Sequence, residues 1–122
     1  MKSVKQLIEE ANKIVIKLGS NTISGADGKV NRELMRDIIG QVCSMIRKGK
    51  RVILVSSGAG ICGVSAINKW SRKGDINYKQ ALCAIGQVEL MNMYKELFGE
   101  YGIHVAQILL TSEDFHDHTR EL

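Results

Sequence analysis

Two stretches decide the fold: Ile14-Val15-Ile16-Lys17-Leu18-Gly19-Ser20 and, farther along, Arg51-Val52-Ile53-Leu54-Val55-Ser56-Ser57-Gly58. Each is a short apolar run rich in β-branched residues that gives way to glycine and serine, the pattern of a buried strand running out into a loop. Between them Asn31 reads as a helix N-cap. Leu34, Ile38, Ile39, Val42, Met45 and Ile46 then fall on one helical face, which closes with Arg47-Lys48 before Gly49. Strand, helix and strand in that order make a β-α-β unit with parallel strands. The near-continuous apolar character of the second run predicts a strand covered on both faces.

Outward from this unit, Val4, Leu7, Ile8 and Ala11 recur at helical spacing ahead of the first strand. Gly19 to Val30 is turn-prone, with a small hairpin expected around Asp27-Gly28. The glycine-rich turn Ser56 to Gly63 leads into a short helix expected to end near Trp70, followed by the polar loop Ser71-Arg72-Lys73-Gly74-Asp75. Helical periodicity returns from about Tyr78 to Phe98, with a bend expected at Gly86-Gln87. Gly102 precedes a third strand, Ile103 to Leu110, and Thr111-Ser112-Glu113-Asp114 has the spacing of a capping box that opens a further helix. The prediction is an α/β fold with a mostly parallel sheet flanked by helices. Because the last helix reaches Leu122 without a cap or turn, the chain reads as cut short, with one strand edge left unpaired.

The composition agrees with this class. With 122 residues, 44% hydrophobic and 25% charged, the chain has the make-up of one globular domain rather than a disordered or fibrous one. A net charge of +4 favours anionic ligands without supplying the clustered basic stripe of a nucleic-acid binder. Apolar runs of about six residues are far below membrane length, and the first residues lack the apolar stretch of a signal peptide, so a cytoplasmic protein is expected. Cys43, Cys62 and Cys83 are odd in number and form no C-x-x-C pair, so they read as packed, reduced thiols, with no metal site implied.

In open α/β sheets ligands bind beyond the carboxyl ends of the strands. Two loops qualify here. In the first, Lys17 stands within a strand end where an unpaired ammonium could not stay buried, and Gly19 and Ser20 come directly after it. Phosphate is the natural partner, and a salt bridge from Lys17 to a surface carboxylate is the alternative. In the second, Ser57, Gly58 and Ala59 combine small residues that let backbone amides approach an anion with a hydroxyl donor. Gly58-Ala59-Gly60-Ile61-Cys62-Gly63 also matches G-x-G-x-x-G, the dinucleotide pattern. The acidic residue expected about twenty positions on, at the end of a second strand, has no counterpart here, since Asp75 falls in the polar loop. Packing glycines without a ligand are the other reading. His104 reads as a structural histidine, and His116 and His118 are poorly placed as a metal pair. Asp114 and Asp117 read as surface or capping residues.

Together with the two strand ends, Lys79-Gln80-Ala81, Ala84-Ile85-Gly86-Gln87, Leu90-Met91 with Tyr94, Leu97-Phe98 and Val105-Ala106-Gln107-Ile108-Leu109-Leu110-Thr111 resemble the amino acid kinase family, and within it the members that phosphorylate glutamate. The resemblance runs essentially from Lys13 to the end. It implies a three-layer sandwich and transfer of the γ-phosphoryl group of ATP, with Mg2+, to the side-chain carboxylate of L-glutamate, giving γ-glutamyl phosphate on the route to proline. It also implies a homo-oligomer with no nucleic-acid or membrane partner. By position, Lys17 is similar to the lysine that neutralises the transferring phosphoryl group, Gly19 and Ser20 to its phosphate loop, and Ser57, Gly58 and Ala59 to the loop that holds glutamate. Residues 1–122 then form the N-terminal, phosphate- and glutamate-facing part of the domain. The nucleotide-binding half is absent, along with a downstream aspartate, an asparagine and a second lysine, and little or no activity is expected from this chain alone. Gly60 departs from the family, which usually has a bulkier apolar residue there. The two rival readings are a Rossmann-type dinucleotide module and a non-catalytic interaction fragment.

Overall fold

A computed structural model describes residues 1–67 and 75–116. The helix end near Trp70, the polar loop before Asp75, and Asp117 and His118 lie outside the described residues. In order, the elements are α1 (Val4–Glu10), β1 (Lys13–Leu18), α2 (Ser20–Ile23), α3 (Arg32–Arg47), β2 (Arg51–Ser56), α4 (Ala59–Ile67), α5 (Ile76–Gly99) and a 3-10 turn at Ser112–Phe115.

The β-α-β unit forms as the sequence predicts. β1 and β2 pair in parallel, in register from Lys13 opposite Arg51 to Leu18 opposite Ser56. The Asn31 side chain accepts the Leu34 amide at 3.1 Å and caps α3, satisfying one of the helix's orphan donors. Period-two alternation divides the sheet into two faces. Ile16, Leu18, Val52 and Leu54 join Met35, Ile39 and Val42 of α3 and Leu90, Met93, Tyr94, Leu97 and Phe98 of α5 in one apolar cluster. The alternate residues look outward: Val15 is 64% exposed, Ile53 63% and Val55 49%, with Lys17 among them. Cover on both faces of β2 is therefore not met among the described residues, because α2, α3, α4 and α5 contribute to one core and α1 buries none of its side chains. The apolar alternate positions identify residues able to be buried there, and the described residues supply nothing that buries them.

The third strand is also corrected. The sheet of the described residues has two strands, and residues 103–110 are extended without a ladder. Ile103 and Val105 still pack on the core, but Ile108, Leu109 and Leu110 are exposed. Alternation reports which side chains face a core, whereas a strand also needs backbone bonds to a neighbouring edge, and among the described residues this segment pairs with neither β1 nor β2. Thr111 and Asp114 do engage, the Thr111 amide and hydroxyl both donating to Asp114 Oδ2 at 2.6 and 3.0 Å, but the helix they open is a single 3-10 turn.

α5 runs unbroken over 24 residues, without an interruption at Gly86-Gln87. Gly86 is where α4 crosses it. A Cβ built on Gly86 would overlap the Ala59 carbonyl oxygen, and one on Gly63 would overlap that of Leu82, so the two helices touch backbone to backbone. Asp75 accepts the Tyr78 amide at 3.2 Å and caps α5. Arg32 and Arg36 of α3 pair with Glu96 and Glu100 along its far end. At the opposite end of the sheet, Ser3 and Gln6 cap α1 reciprocally, and Lys50 Nζ donates to the carbonyls of Ile8, Glu9 and Ala11, placing a cation at the helix's negative end.

Candidate functional site

The two glycine-rich loops leave neighbouring strand ends. Leu18 and Ser56 are the last register pair, and just beyond them the Ser57 amide donates to the Leu18 carbonyl at 2.9 Å, extending the ladder by one bond. Gly19 then caps α2, its carbonyl accepting the amides of Thr22 and Ile23. Ile23, fully buried, lies against Gly58, where a Cβ would fall 2.9 Å from the isoleucine Cδ1. The chain turns at Gly58 with φ of +110°, a conformation costly for any residue with a side chain, and enters α4 at Ala59. The first amides of α4 have no partner within the helix, and they follow directly on the turn that leaves β2.

Lys17 pairs in register with Val55, one residue short of these ends, with its side chain exposed. No carboxylate among the described residues pairs with it, so the salt-bridged alternative has no partner there. Gly19 stands open: a Cβ there would meet nothing within 4 Å. The second loop is held from beneath. Ser56 Oγ donates to the Ser57 carbonyl at 3.0 Å and lies 2.6 Å from the Tyr94 hydroxyl of α5. The serine's single proton is committed to that carbonyl, so Tyr94 is the donor in the second bond. Burial holds the Tyr94 hydroxyl above its ordinary range, the Ser56 hydrogen bond opposes this and nearby Cys62 adds to it, so the phenol stays protonated at neutral pH.

Two of the expected thiol and histidine assignments change. Cys43 and Cys62 are buried, but Cys83 is exposed on α5. Burial, helped by the Glu89 carboxylate, pushes the Cys62 thiol up to about 11. His104 is exposed rather than built into the core, its neighbours Ile103 and Val105 taking the inward positions. His116 comes just after the 3-10 turn, exposed, and no three ligating side chains converge among the described residues.

The glycines of the dinucleotide-like pattern separate into different tasks. Gly58 makes the turn, and Gly63 admits α5. A Cβ on Gly60 would make only an ordinary 3.6 Å contact with Cys83 Sγ, so the departure at Gly60 leaves the helix start intact. The pattern is accounted for by packing, which leaves the Rossmann-type reading without support.

Comparison with known proteins places the chain in a family. The amino acid kinase family matches residues 12–122. The chain belongs to the amino acid kinase family. Curated relatives in that family include a glutamate 5-kinase of Alkaliphilus oremlandii, 52% identical over 119 residues covering 98% of this chain and 45% of the relative. That of Alkaliphilus metalliredigens is 50% identical with the same coverage. A third, from Methanococcoides burtonii, is 44% identical over 94% of this chain and 31% of its own length. This amino acid kinase chain thus spans less than half the length of the relatives it matches. Within it, the Tyr94 contact beneath the serine loop and the backbone contact of α4 with α5 at Gly63 and Gly86 are features that the sequence alone does not place. The only signal was small residues recurring in two adjacent helical segments, which is ambiguous without knowing that the helices meet.

Proposed function

We propose that this chain supplies the phosphoryl- and glutamate-facing part of a kinase that transfers the γ-phosphoryl group of ATP to the side-chain carboxylate of L-glutamate, the nucleotide-binding part lying in sequence that the longer relatives have and this chain does not. The observation that carries the reading is the bond from the Ser57 amide to the Leu18 carbonyl, which sets the two loops side by side at the strand ends. Hydrogen-bond donors on one side and a cation on the other are what an in-line transfer between two anions requires, since phosphoryl transfer depends on positioning and charge neutralisation.

Each residue then has a task. Lys17, with no carboxylate partner among the described residues, presents its ammonium toward the transferred group. Gly19 and Ser20 let phosphate oxygens come close, because no side chain occupies the Gly19 Cβ position. The Ser57 amide is already used in the sheet, so glutamate is held by the Ser57 hydroxyl and by the amides at Gly58, Ala59 and the start of α4. These donors suit anionic oxygens. When bound, ATP with Mg2+ supplies the phosphoryl group and screens its charge, and with no converging carboxylates among the described residues the metal would be carried mainly by the phosphates. A cytoplasmic setting goes with this substrate pair.

The test is a hybrid in which this chain replaces the matching segment of the Alkaliphilus oremlandii enzyme, assayed by trapping acyl phosphate with hydroxylamine. The hybrid should form γ-glutamyl hydroxamate, and Lys17→Met should lower kcat about a hundredfold or more. Unchanged turnover in that variant would remove Lys17 from the chemistry. The 122-residue chain alone should give only background, and turnover equal to the hybrid's would overturn the division of labour.

A further inference from the structure

We propose that Tyr94 is a positioning residue that fixes the Ser56–Gly58 loop from below, through the Ser56 hydroxyl, and so sets the affinity for the carboxylate substrate. The inference rests on the glutamate reading of that loop. Its basis is a relay of three oxygens in one direction: Tyr94 hydroxyl to Ser56 Oγ at 2.6 Å, and Ser56 Oγ to the Ser57 carbonyl at 3.0 Å. From its other side the same loop is held by the Ser57 amide bond to Leu18 at 2.9 Å. The Ser57 backbone is therefore tied at both its amide and its carbonyl, one tie to the first strand and one to α5.

The tie acts on the turn at Gly58. Gly58 has φ of +110°, and the direction of α4's first amides is set by the peptide plane entering that turn. A rotation of the Ser57 peptide would swing its hydroxyl and the Gly58 amide together. Tyr94 is well suited to resist this. The residue is 5% exposed, its ring centroid lies 6.4 Å from that of Phe98, and it belongs to the main apolar cluster, so the hydroxyl is delivered from a packed base. A core tyrosine placed only for packing would not need its hydroxyl at a strand end, and phenylalanine would fill the same space.

The experiment removes the hydroxyl and keeps the ring. In Tyr94→Phe, amide hydrogen exchange at Ser57 and Gly58 should speed up about fivefold to tenfold, as loss of one buried hydrogen bond allows, while Ile39 and Val42 in α3 keep their protection. Ser56→Ala should reproduce the loop effect and Ser56→Thr should reverse it. In the hybrid kinase, Tyr94→Phe should raise KM for glutamate by a similar factor, with KM for ATP unchanged. Exchange that rises equally in the loop and in α3, or in neither, overturns the positioning role. Faster loop exchange with an unchanged glutamate KM leaves the relay standing and overturns instead the assignment of the loop to glutamate.

Discussion

The loops after β1 and β2 start one hydrogen bond apart, yet the first is open and the second is built in. Gly19 caps α2 with space around it, and Lys17 beside it pairs with no acid among the described residues. Gly58, by contrast, turns against Ile23, and α4 behind it is pressed onto α5 at Gly63 and Gly86 while Tyr94 ties Ser56 from below. Similar runs of small residues thus have different causes. In the open loop a glycine has empty space around it, which the proposed function gives to phosphate, and in the locked loop it leaves room for the protein itself.

The sharpest way to break this contrast is to add one methyl group at the helix crossing. Gly86→Ala would drive a Cβ into the Ala59 carbonyl, and Gly63→Ala into that of Leu82. Backbone oxygens cannot rotate aside as a side chain can, so α4 must move off α5. The expected loss is about 3 kcal/mol or more for each, read as a lowered midpoint of urea unfolding. A loss below about 0.5 kcal/mol, the range of an ordinary surface change, would mean the helices are not locked there.

Gly58→Ala comes next. The new side chain meets a positive φ and the end of a flexible isoleucine, 2.9 Å away, which can yield. Strain of about 1 to 3 kcal/mol is expected, chiefly from the backbone. In the hybrid kinase the same variant should also weaken glutamate, because relieving the strain redirects the start of α4.

The legible part of the molecule is the part whose causes are local. Asn31 as cap, the α3 face and the two apolar runs could be read because capping and periodicity act within a few residues. Lys17 stood out for the same reason, as a charge in an apolar run. The parts that could not be read depend on neighbours. Residues 103–110 alternate like a strand, but whether they pair depends on an edge elsewhere. Gly86 stood out in the sequence as a glycine that weakens a helix, and only the α4 crossing reveals its use. Tyr94 is an amphipathic residue in a long helix, and nothing within five residues of it indicates that its hydroxyl meets Ser56.

The thiols sharpen the same comparison by pH. Cys62 lies in the locked region, and its value is raised from the ordinary 9.0 to about 11 by burial first and Glu89 second. In the unfolded chain a thiol ionises from about pH 8.5, whereas the folded protein keeps Cys62 protonated to about pH 11. The unfolded state therefore binds fewer protons across this window, and stability falls as pH rises through it, with no contribution below it. Urea midpoints at pH 7.5 and pH 10 should differ, and Cys62→Ala should reduce the difference. At neutral pH a thiol reagent should modify exposed Cys83 promptly and reach Cys62 only on unfolding.

The smallest expected effect on stability is at the open loop. Gly19 has extended dihedrals, φ −76° and ψ 164°, which any residue adopts, and an added Cβ meets nothing within 4 Å. Gly19→Ala should therefore change stability by no more than about 0.5 kcal/mol, since it introduces neither strain nor overlap. Its consequence should appear only with ligand. A methyl group in the space proposed for phosphate oxygens should raise KM for ATP in the hybrid kinase while leaving glutamate alone, the reverse of the split expected for Tyr94→Phe. If Gly19→Ala instead destabilised the protein as much as Gly58→Ala, the two loops would be locked alike. The phosphate reading of the first would then lose its physical basis, because a loop filled by its own protein has no room to receive an anion.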